Sequence, residues 1–421
     1  MLLQFQKKLH KLTTPSQKLL VALSGGVDSV VLLDLLCKTH CKTKLRAIYI
    51  HHGLSKNADD WADFCQQFCE QRHIECIIKR VIFDPTKNIE NSARKARYQA
   101  FRETILSDEM LVTAHHLDDQ AETFFLALKR GNGLKGLSAM QDISHSHGFT
   151  LLRPLLAFSK HDLTAYAKQN QLNWVEDESN FNTNYDRNFL RQEVLPLLNQ
   201  RWKQFPKMVS RSAKHCENQQ LLLEELLNDE LYKIANFAKK SLNVTAFPQF
   251  SVLKQQQLLR LWLEKCNVTM PSVVQLEQLM KFIHISADKN PQLKLGKHIV
   301  RRYQSQLFVT DEVIAISPLS VNLSLNQNII LPHSSAEVTH LGDHLFCKFS
   351  QQSNRFKLPI ELINQTLEIR LGCVGKVKLH NKSQREEMKK IWQQNQIPTW
   401  LRSQTPVVFF EDQYVMVLKQ D

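Results

Sequence analysis

The chain has 421 residues, 43% hydrophobic and 23% charged, an ordinary globular mix that excludes a disordered or fibrous protein and, at roughly 100–200 residues per domain, predicts two or three domains. Against 41 Asp and Glu stand 54 Lys and Arg, a formal charge of +13, which suits a polyanionic partner because each cation that meets a phosphate releases counterions. The nine cysteines include no Cys-x-x-Cys, so a zinc knuckle, an iron–sulfur centre or a disulfide framework is not expected.

In chain order, β-like apolar runs at 18–23, 45–50, 76–83 and 110–115 alternate with amphipathic helical stretches at 28–38, 57–72 and 89–106. Strands separated by helices predict βαβ units, an α/β class with a parallel sheet covered on both faces. Ligands of such sheets bind beyond the carboxyl ends of the strands. Function is therefore expected at 24–29, 51–55, 84–91 and 115–122. From about residue 212 three amphipathic helices follow, broken near Pro248 and Pro271, then a strand–turn–strand pattern at 297–311. Short β-like runs and a basic stretch come after Pro318. The expected domains are 1–211, a parallel-sheet nucleotide-binding domain, 212–316, small and mostly helical, and 317–421, a small α+β domain. The first residues lack a signal-type apolar core and no apolar run approaches the ~18 residues of a membrane span, so a cytoplasmic protein without a membrane partner is expected. A homodimer stays open.

Glycine is scarce, 11 residues in all, against a usual level of about 7%. Two of them adjoin in Ser24-Gly25-Gly26-Val27-Asp28-Ser29, between the first strand and the first helix of the alternation. There backbone N–H groups and a helix dipole converge on one point, glycine lets an anion approach closely, and the serines add hydroxyl donors. Asp28 puts a carboxylate where Mg²⁺ on phosphates can be held. The spacing is not that of a Walker A loop. On a helix beginning near Leu117, Asp118 and Glu122 are four apart and share a face with Asp119 beside them. Such acids can hold metal, receive an ammonium group or take its proton; the alternative is that they serve the helix dipole. His115 and His116 end the fourth strand, and at least one should face the crevice. Asn91, Arg94 and Arg97 lie along one helix face, where arginine suits phosphate or carboxylate. Arg187 and Arg191 follow the acidic Glu176–Glu178 stretch, which offers a local ion pair as the competing role.

Two stretches concentrate the basic charge: 201–216, with five cations and no acid, and 369–402, with eight cations, Lys389 and Lys390 among them, against Glu386 and Glu387. They point to RNA held away from the chemistry. Trp392 and Trp400 flank the second stretch and either stack on bases or anchor the small domain.

The loop at 24–29 resembles the PP-loop of the N-type ATP pyrophosphatases. His51-His52-Gly53, Asn91-Ser92-Ala93-Arg94 with Arg97, His115-His116-Leu117-Asp118-Asp119 with Glu122, Arg130-Gly131-Asn132-Gly133, Arg153-Pro154-Leu155, and Asp177-Glu178-Ser179-Asn180 leading to Arg187 and Arg191 are similar to the tRNA(Ile)-lysidine synthase family over about residues 15–200. Glu178 stands where the family pattern has proline. The resemblance implies an ATP- and Mg²⁺-dependent ligase. It would adenylate the C2 carbonyl oxygen of the wobble cytidine in tRNA(Ile) with a CAU anticodon, release pyrophosphate, and let the ε-amine of free L-lysine displace AMP to give lysidine. It implies ATP binding by Ser24 to Ser29, metal at Asp28, catalysis by Asp28, His116, Asp118, Asp119 and Glu122, and substrate or tRNA binding by Asn91, Arg94, Arg97, Asp177, Asn180, Arg187 and Arg191, to which the second basic stretch adds Lys389 and Lys390 as tRNA contacts. A tRNA thiolation enzyme or a small-molecule amidotransferase on the same core is the second reading, but no cysteine pair or glutaminase nucleophile is evident. A non-catalytic RNA binder is the third, and it would not need polar residues at successive strand ends.

Overall fold

The computed structural model describes residues 1–53, 55–82, 89–285, 289–312, 317–332, 336–349 and 352–419, with the backbone alone at 89–91, 146 and 179. Leu54, residues 84–88 and the side chain of Asn91, all in stretches singled out above, lie outside what is described. The chain divides into two compact units, Met1–Glu224 and Glu225–Asp421.

The first unit is built on six strands, β1 (Lys18–Ala22), β2 (Leu45–His51), β3 (Glu75–Arg80), β4 (Glu109–Val112), β5 (Ile143–Ser146) and β6 (Phe149–Leu152), in the order β3-β2-β1-β4-β6-β5. All neighbours run parallel except β5 and β6. The first helices are α1 (Leu2–Leu12), α2 (Val27–Thr39), α3 (Ala58–Glu70), α4 (Ile89–Thr104) and α5 (Leu117–Lys129). After them come α6 (Leu134–Leu137), α7 (Lys160–Gln169), α8 (Asp186–Phe189), a π-helical turn at Leu190–Val194, α9 (Leu195–Arg201) and α10 (Phe205–Ile234).

β1 reads as an unbroken apolar run because both its faces are covered. Leu19 and Val21 join Val30, Leu33 and Phe68 in one buried cluster, while Leu20 joins Ile48, Tyr98 and Phe101 in another. The four expected strands form, each within a few residues of its expected bounds. The β5–β6 hairpin went unread: His145 and Ser144 give it no apolar alternation, and it pairs only at the sheet's edge. With β1 flanked by β2 on one side and β4 on the other, the strand order reverses there, and a crevice opens at the carboxyl ends of β1 and β4.

The second unit carries the expected helices at Val252–Lys265 and Val273–His284, each starting at a serine N-cap. The segment is mostly helical, as expected, and beside its helices stands a five-stranded antiparallel sheet built from 235–236, 241–243, 306–310, 298–303 and 292–295, of which the pair near 297–311 was expected and the others were not. Three of these strands have two to four residues, too short for alternation to register. Beyond it the chain is α+β, as expected. Asn328–Leu331, Ala336–His340, His344–Lys348 and Ser353–Lys357 pair in sequence order as a four-stranded antiparallel sheet. A six-stranded sheet follows with spatial order Leu319–Leu323, Leu367–Leu371, Val407–Phe410, Gln413–Val417, Lys376–Leu379 and Arg385–Glu387, accompanied by a helix at Met388–Gln394. Trp392, 3% exposed, packs with Met388, Ile391 and Phe409. Trp400, 9% exposed, lies against Phe308 at 5.4 Å. Both therefore anchor the fold rather than stack on bases. No described helix is long and apolar enough to cross a membrane.

Candidate active site

The site starts from the turn between β1 and α2. Ser24 N–H donates to Ser29 Oγ at 3.1 Å, the two serine hydroxyls lie 3.1 Å apart, and Ser29 Oγ donates to Gly26 C=O at 2.9 Å. The loop is thus closed on itself, with the first amides of α2 left over as donors. Gly25 has φ +81°, and a Cβ on it would sit 2.7 Å from Val175 Cγ2 and 3.3 Å from Cys65 Sγ. Its glycine is required by the protein's own packing, since Val175 N–H donates to Gly25 C=O at 3.0 Å on that side. At Gly26 a Cβ would meet only Ser24 Oγ at 3.6 Å and Val175 O at 4.0 Å, so of the two glycines it is the one that leaves room for an anion.

Asp28, the second residue of α2, receives both oxygens' partners from one side chain: Lys160 Nζ donates to Oδ1 and Oδ2 at 2.8 Å each. On its other side Nε2 of His116 lies 3.6 Å away. Burial would raise the Asp28 carboxyl, but the hydrogen bond and charge of His116 and the charge of Lys160 outweigh it and hold it down at about 2. His116, the N-cap of α5, is 3% exposed. Its imidazole faces Asp28, Asp118 and Asp119 at 3.5–3.6 Å. Burial opposes its charge, yet these carboxylates push it up to about 10. His115 is the opposite case: burial takes it down to about 3, and its Nδ1 lies 2.8 Å from Thr113 Oγ1.

The acids of α5 divide differently from their expected pairing of Asp118 with Glu122. Asp118 Oδ2 accepts from Lys160 N–H at 2.7 Å, tying α5 to α7. Asp119 and Glu122 converge instead. Arg191 donates from Nε to Glu122 Oε1 at 2.6 Å, and from Nη2 to Glu122 Oε2 at 2.9 Å and to Asp119 Oδ1 at 3.0 Å. Arg187 Nε lies 3.3 Å from Glu122 Oε2. His116 N–H donates to Asp119 Oδ2 at 2.9 Å, which leaves Oδ1 for Arg191. The ion pairs of Arg187 and Arg191 thus run to α5, not to the Glu176–Glu178 stretch.

A cavity of about 840 Å³ joins these groups, lined by Ser24, Asp28, Ser29, His115, Asp119, Arg97, Asp177, Arg187 and Arg191, with His52, Tyr49 and Trp61 further along. Arg94 is not among its lining residues; its guanidinium sits 4.9 Å over the Tyr98 ring. Asn180 is exposed and away from the lining, whereas Glu178 is on it and accepts from Asn57 Nδ2 at 3.0 Å. Lys160 is the residue the sequence reading missed. Its only signal is position, directly after the Ser159 cap of the helix that follows Arg153-Pro154-Leu155. Arg153 itself is structural, donating to Gln141 C=O at 2.8 Å and Ser144 Oγ at 3.0 Å. Lys389 and Lys390 lie in the second unit on the helix Met388–Gln394, and Lys390 pairs with Glu386 at 2.6 Å. Among the described residues no three His, Cys, Asp or Glu form a metal cluster. Asp28 presents carboxylate oxygens at the cavity beside the loop, the hard donor type that Mg²⁺ takes together with phosphate and water oxygens.

A glycine loop at the carboxyl end of the central strand, with an aspartate, a lysine and a histidine converging beside it, defines a PP-loop enzyme. Family descriptions agree: "PP-loop domain" matches residues 1–198, "TilS substrate binding domain" residues 242–308 and "TilS substrate C-terminal domain" residues 367–420. The tRNA(Ile)-lysidine synthase of Actinobacillus pleuropneumoniae serotype 3 is 52% identical over 405 residues, 96% of each chain. That of Haemophilus ducreyi is 50% identical over 421 residues, covering 100% of this chain and 98% of its own, and that of Histophilus somni (strain 129Pt) is 44% identical over 418 residues, 98% and 97%. The chain belongs to the tRNA(Ile)-lysidine synthase family.

Proposed function

We propose that this chain is the ATP-dependent ligase that its family membership names, joining free L-lysine to C2 of the wobble cytidine of tRNA(Ile) with a CAU anticodon. The convergence of Asp28, Lys160 and His116 on the loop after β1 carries this reading. ATP splits between its α- and β-phosphates as the cytidine C2 oxygen attacks the α-phosphorus, and pyrophosphate leaves. The amides at the start of α2 and Lys160 Nζ receive the charge that builds on the leaving group. Mg²⁺, held by Asp28, would neutralise phosphate charge. His116 stands between Asp28 and Asp119, separating the two carboxylates and capping the start of α5. In the second step the lysine ε-amine attacks C2 and AMP departs, so the ammonium must first lose a proton; Asp119 and Glu122 are the acids offered to it. Arg97, Arg187 and Arg191 face the same cavity and suit the phosphates of nucleotide and RNA. Asn91, Asp177 and Asn180 belong to the RNA side of this reading. So do Lys389, Lys390 and the division into 1–211, 212–316 and 317–421. A cytoplasmic location follows from a tRNA substrate.

The test is direct. Purified protein supplied with ATP, Mg²⁺, labelled lysine and the CAU tRNA(Ile) transfers lysine to the RNA, and omitting Mg²⁺ stops it. Absence of transfer together with pyrophosphate release stimulated by another acceptor would overturn the reading.

A further inference from the structure

Glu122 is fully buried, and a carboxylate so placed needs a cation against it. Arg191 supplies that cation with two contacts to Glu122 and one to Asp119, all within 3.0 Å. Because of this, Glu122 does not reach the cavity wall, whereas Arg191 and Asp119 do. The proposed chemistry asks for a pocket that accepts a primary ammonium. The other acids nearby are already engaged, Asp28 by Lys160 and His116 and Asp118 by Lys160 N–H. The place held by the Arg191 guanidinium brings two carboxylates, those of Asp119 and Glu122, onto one cationic centre at the cavity.

We propose that Arg191 is a resident stand-in for the ε-ammonium of lysine, so that lysine enters by displacing it from Asp119 and Glu122. The proposal rests on the reading of Asp119 and Glu122 as the lysine acids. Two features make the displacement feasible. Arg191 sits on the π-helical turn Leu190–Val194 between α8 and α9, a rare form of turn that recurs at functional sites, and its side chain is 38% exposed on the cavity side of the pair. Its side chain also lines the same cavity as Ser24 and Ser29 of the loop, so phosphate oxygens offer the guanidinium a second anionic partner. Arg187 remains beside Glu122 through the exchange, which keeps the buried acid from being left bare. Lysine affinity and nucleotide occupancy are thereby coupled: phosphate that draws Arg191 away opens the ammonium pocket, and lysine is favoured where an activated phosphate already stands. Free lysine alone meets an occupied site.

The experiment measures L-lysine binding to the full chain by titration calorimetry, with and without α,β-methylene ATP and Mg²⁺. For the wild-type protein, the nucleotide analogue tightens lysine binding by about tenfold, within the usual range for coupled sites. Arg191→Met tightens lysine binding by about tenfold without nucleotide and abolishes the further gain from the analogue. Equal lysine affinity in the wild-type protein with and without the analogue overturns the proposal, and so does an Arg191→Met protein that binds lysine no better than wild type. If Arg191→Met does not fold, the wild-type comparison decides alone. Glu122→Gln separates the proposal from the reading beneath it. If that variant loses lysine binding while the two coupling results fail, the acids stand as the lysine site and only the stand-in role falls. If Glu122→Gln binds lysine as wild type does, the assignment of the acids falls and takes the proposal with it.

Discussion

At the scale of single residues, the arrangement turns on Lys160, whose ammonium spans both oxygens of Asp28 while its backbone N–H holds Asp118. One residue thereby fixes the start of α2 against the start of α5. Lys160→Ala is expected to slow pyrophosphate release by about 10²–10³-fold, the usual effect of removing one preorganised donor at a developing charge; an effect below about threefold in single-turnover assays would contradict that role. Asp28 and His116 were legible in sequence because strand ends in parallel sheets are where ligands gather. Lys160 was not, since a lysine in the first turn of an amphipathic helix reads as solvated charge, and its side chain is in fact 47% exposed. Helical spacing also favoured Asp118 as the partner of Glu122, whereas Asp119 is the one that shares Arg191 with it. The capping box from His116 to Asp119 takes one oxygen of Asp119, and that box is disguised in the sequence because its N-cap is a histidine rather than serine or threonine.

At the scale of elements, the loop between β1 and α2 is braced from behind by the segment that leads to Glu178 and the arginine-bearing turns. Gly25→Ala places a methyl group 2.7 Å from Val175 Cγ2 at φ +81°. The backbone strain alone costs about 1–3 kcal/mol, and the contact adds to it. Denaturant unfolding of Gly25→Ala should show a loss of that order, and pairing it with Val175→Ala should recover the contact share while leaving the strain. Full recovery in the double variant would mean that φ imposes nothing. β1, β2 and β4 were legible because burial leaves apolar runs in them, and the edge strand β3 was legible from its own Cys76-Ile77-Ile78 core. The hairpin of β5 and β6 and the short strands near 235–243 and 292–295 were not, because their partners rather than their own side chains define them.

Over the whole molecule, the excess of positive charge resolves into two stretches, and the second lies in a unit that holds none of the residues lining the catalytic cavity. Neutralising Lys389 and Lys390 together should raise the KM for tRNA and flatten its dependence on salt, with the slope of log K against log salt falling by between about one and two. ATP binding in the absence of RNA should stay unchanged. An unaltered slope would remove this surface from the RNA footprint. Lys390 already has Glu386 at 2.6 Å, so Lys389 alone should account for the larger part of the change.

The order of the six-stranded sheet bears on how the protein is made. Its two central strands, Val407–Phe410 and Gln413–Val417, are the ones that come latest in the sequence, while the strand at one edge, Leu319–Leu323, emerges from the ribosome some ninety residues earlier. Until those last two strands are synthesised, the earlier four exist only as two separated pairs with no middle to join them, so a chain cut short by even this small piece loses the heart of the sheet and not its margin.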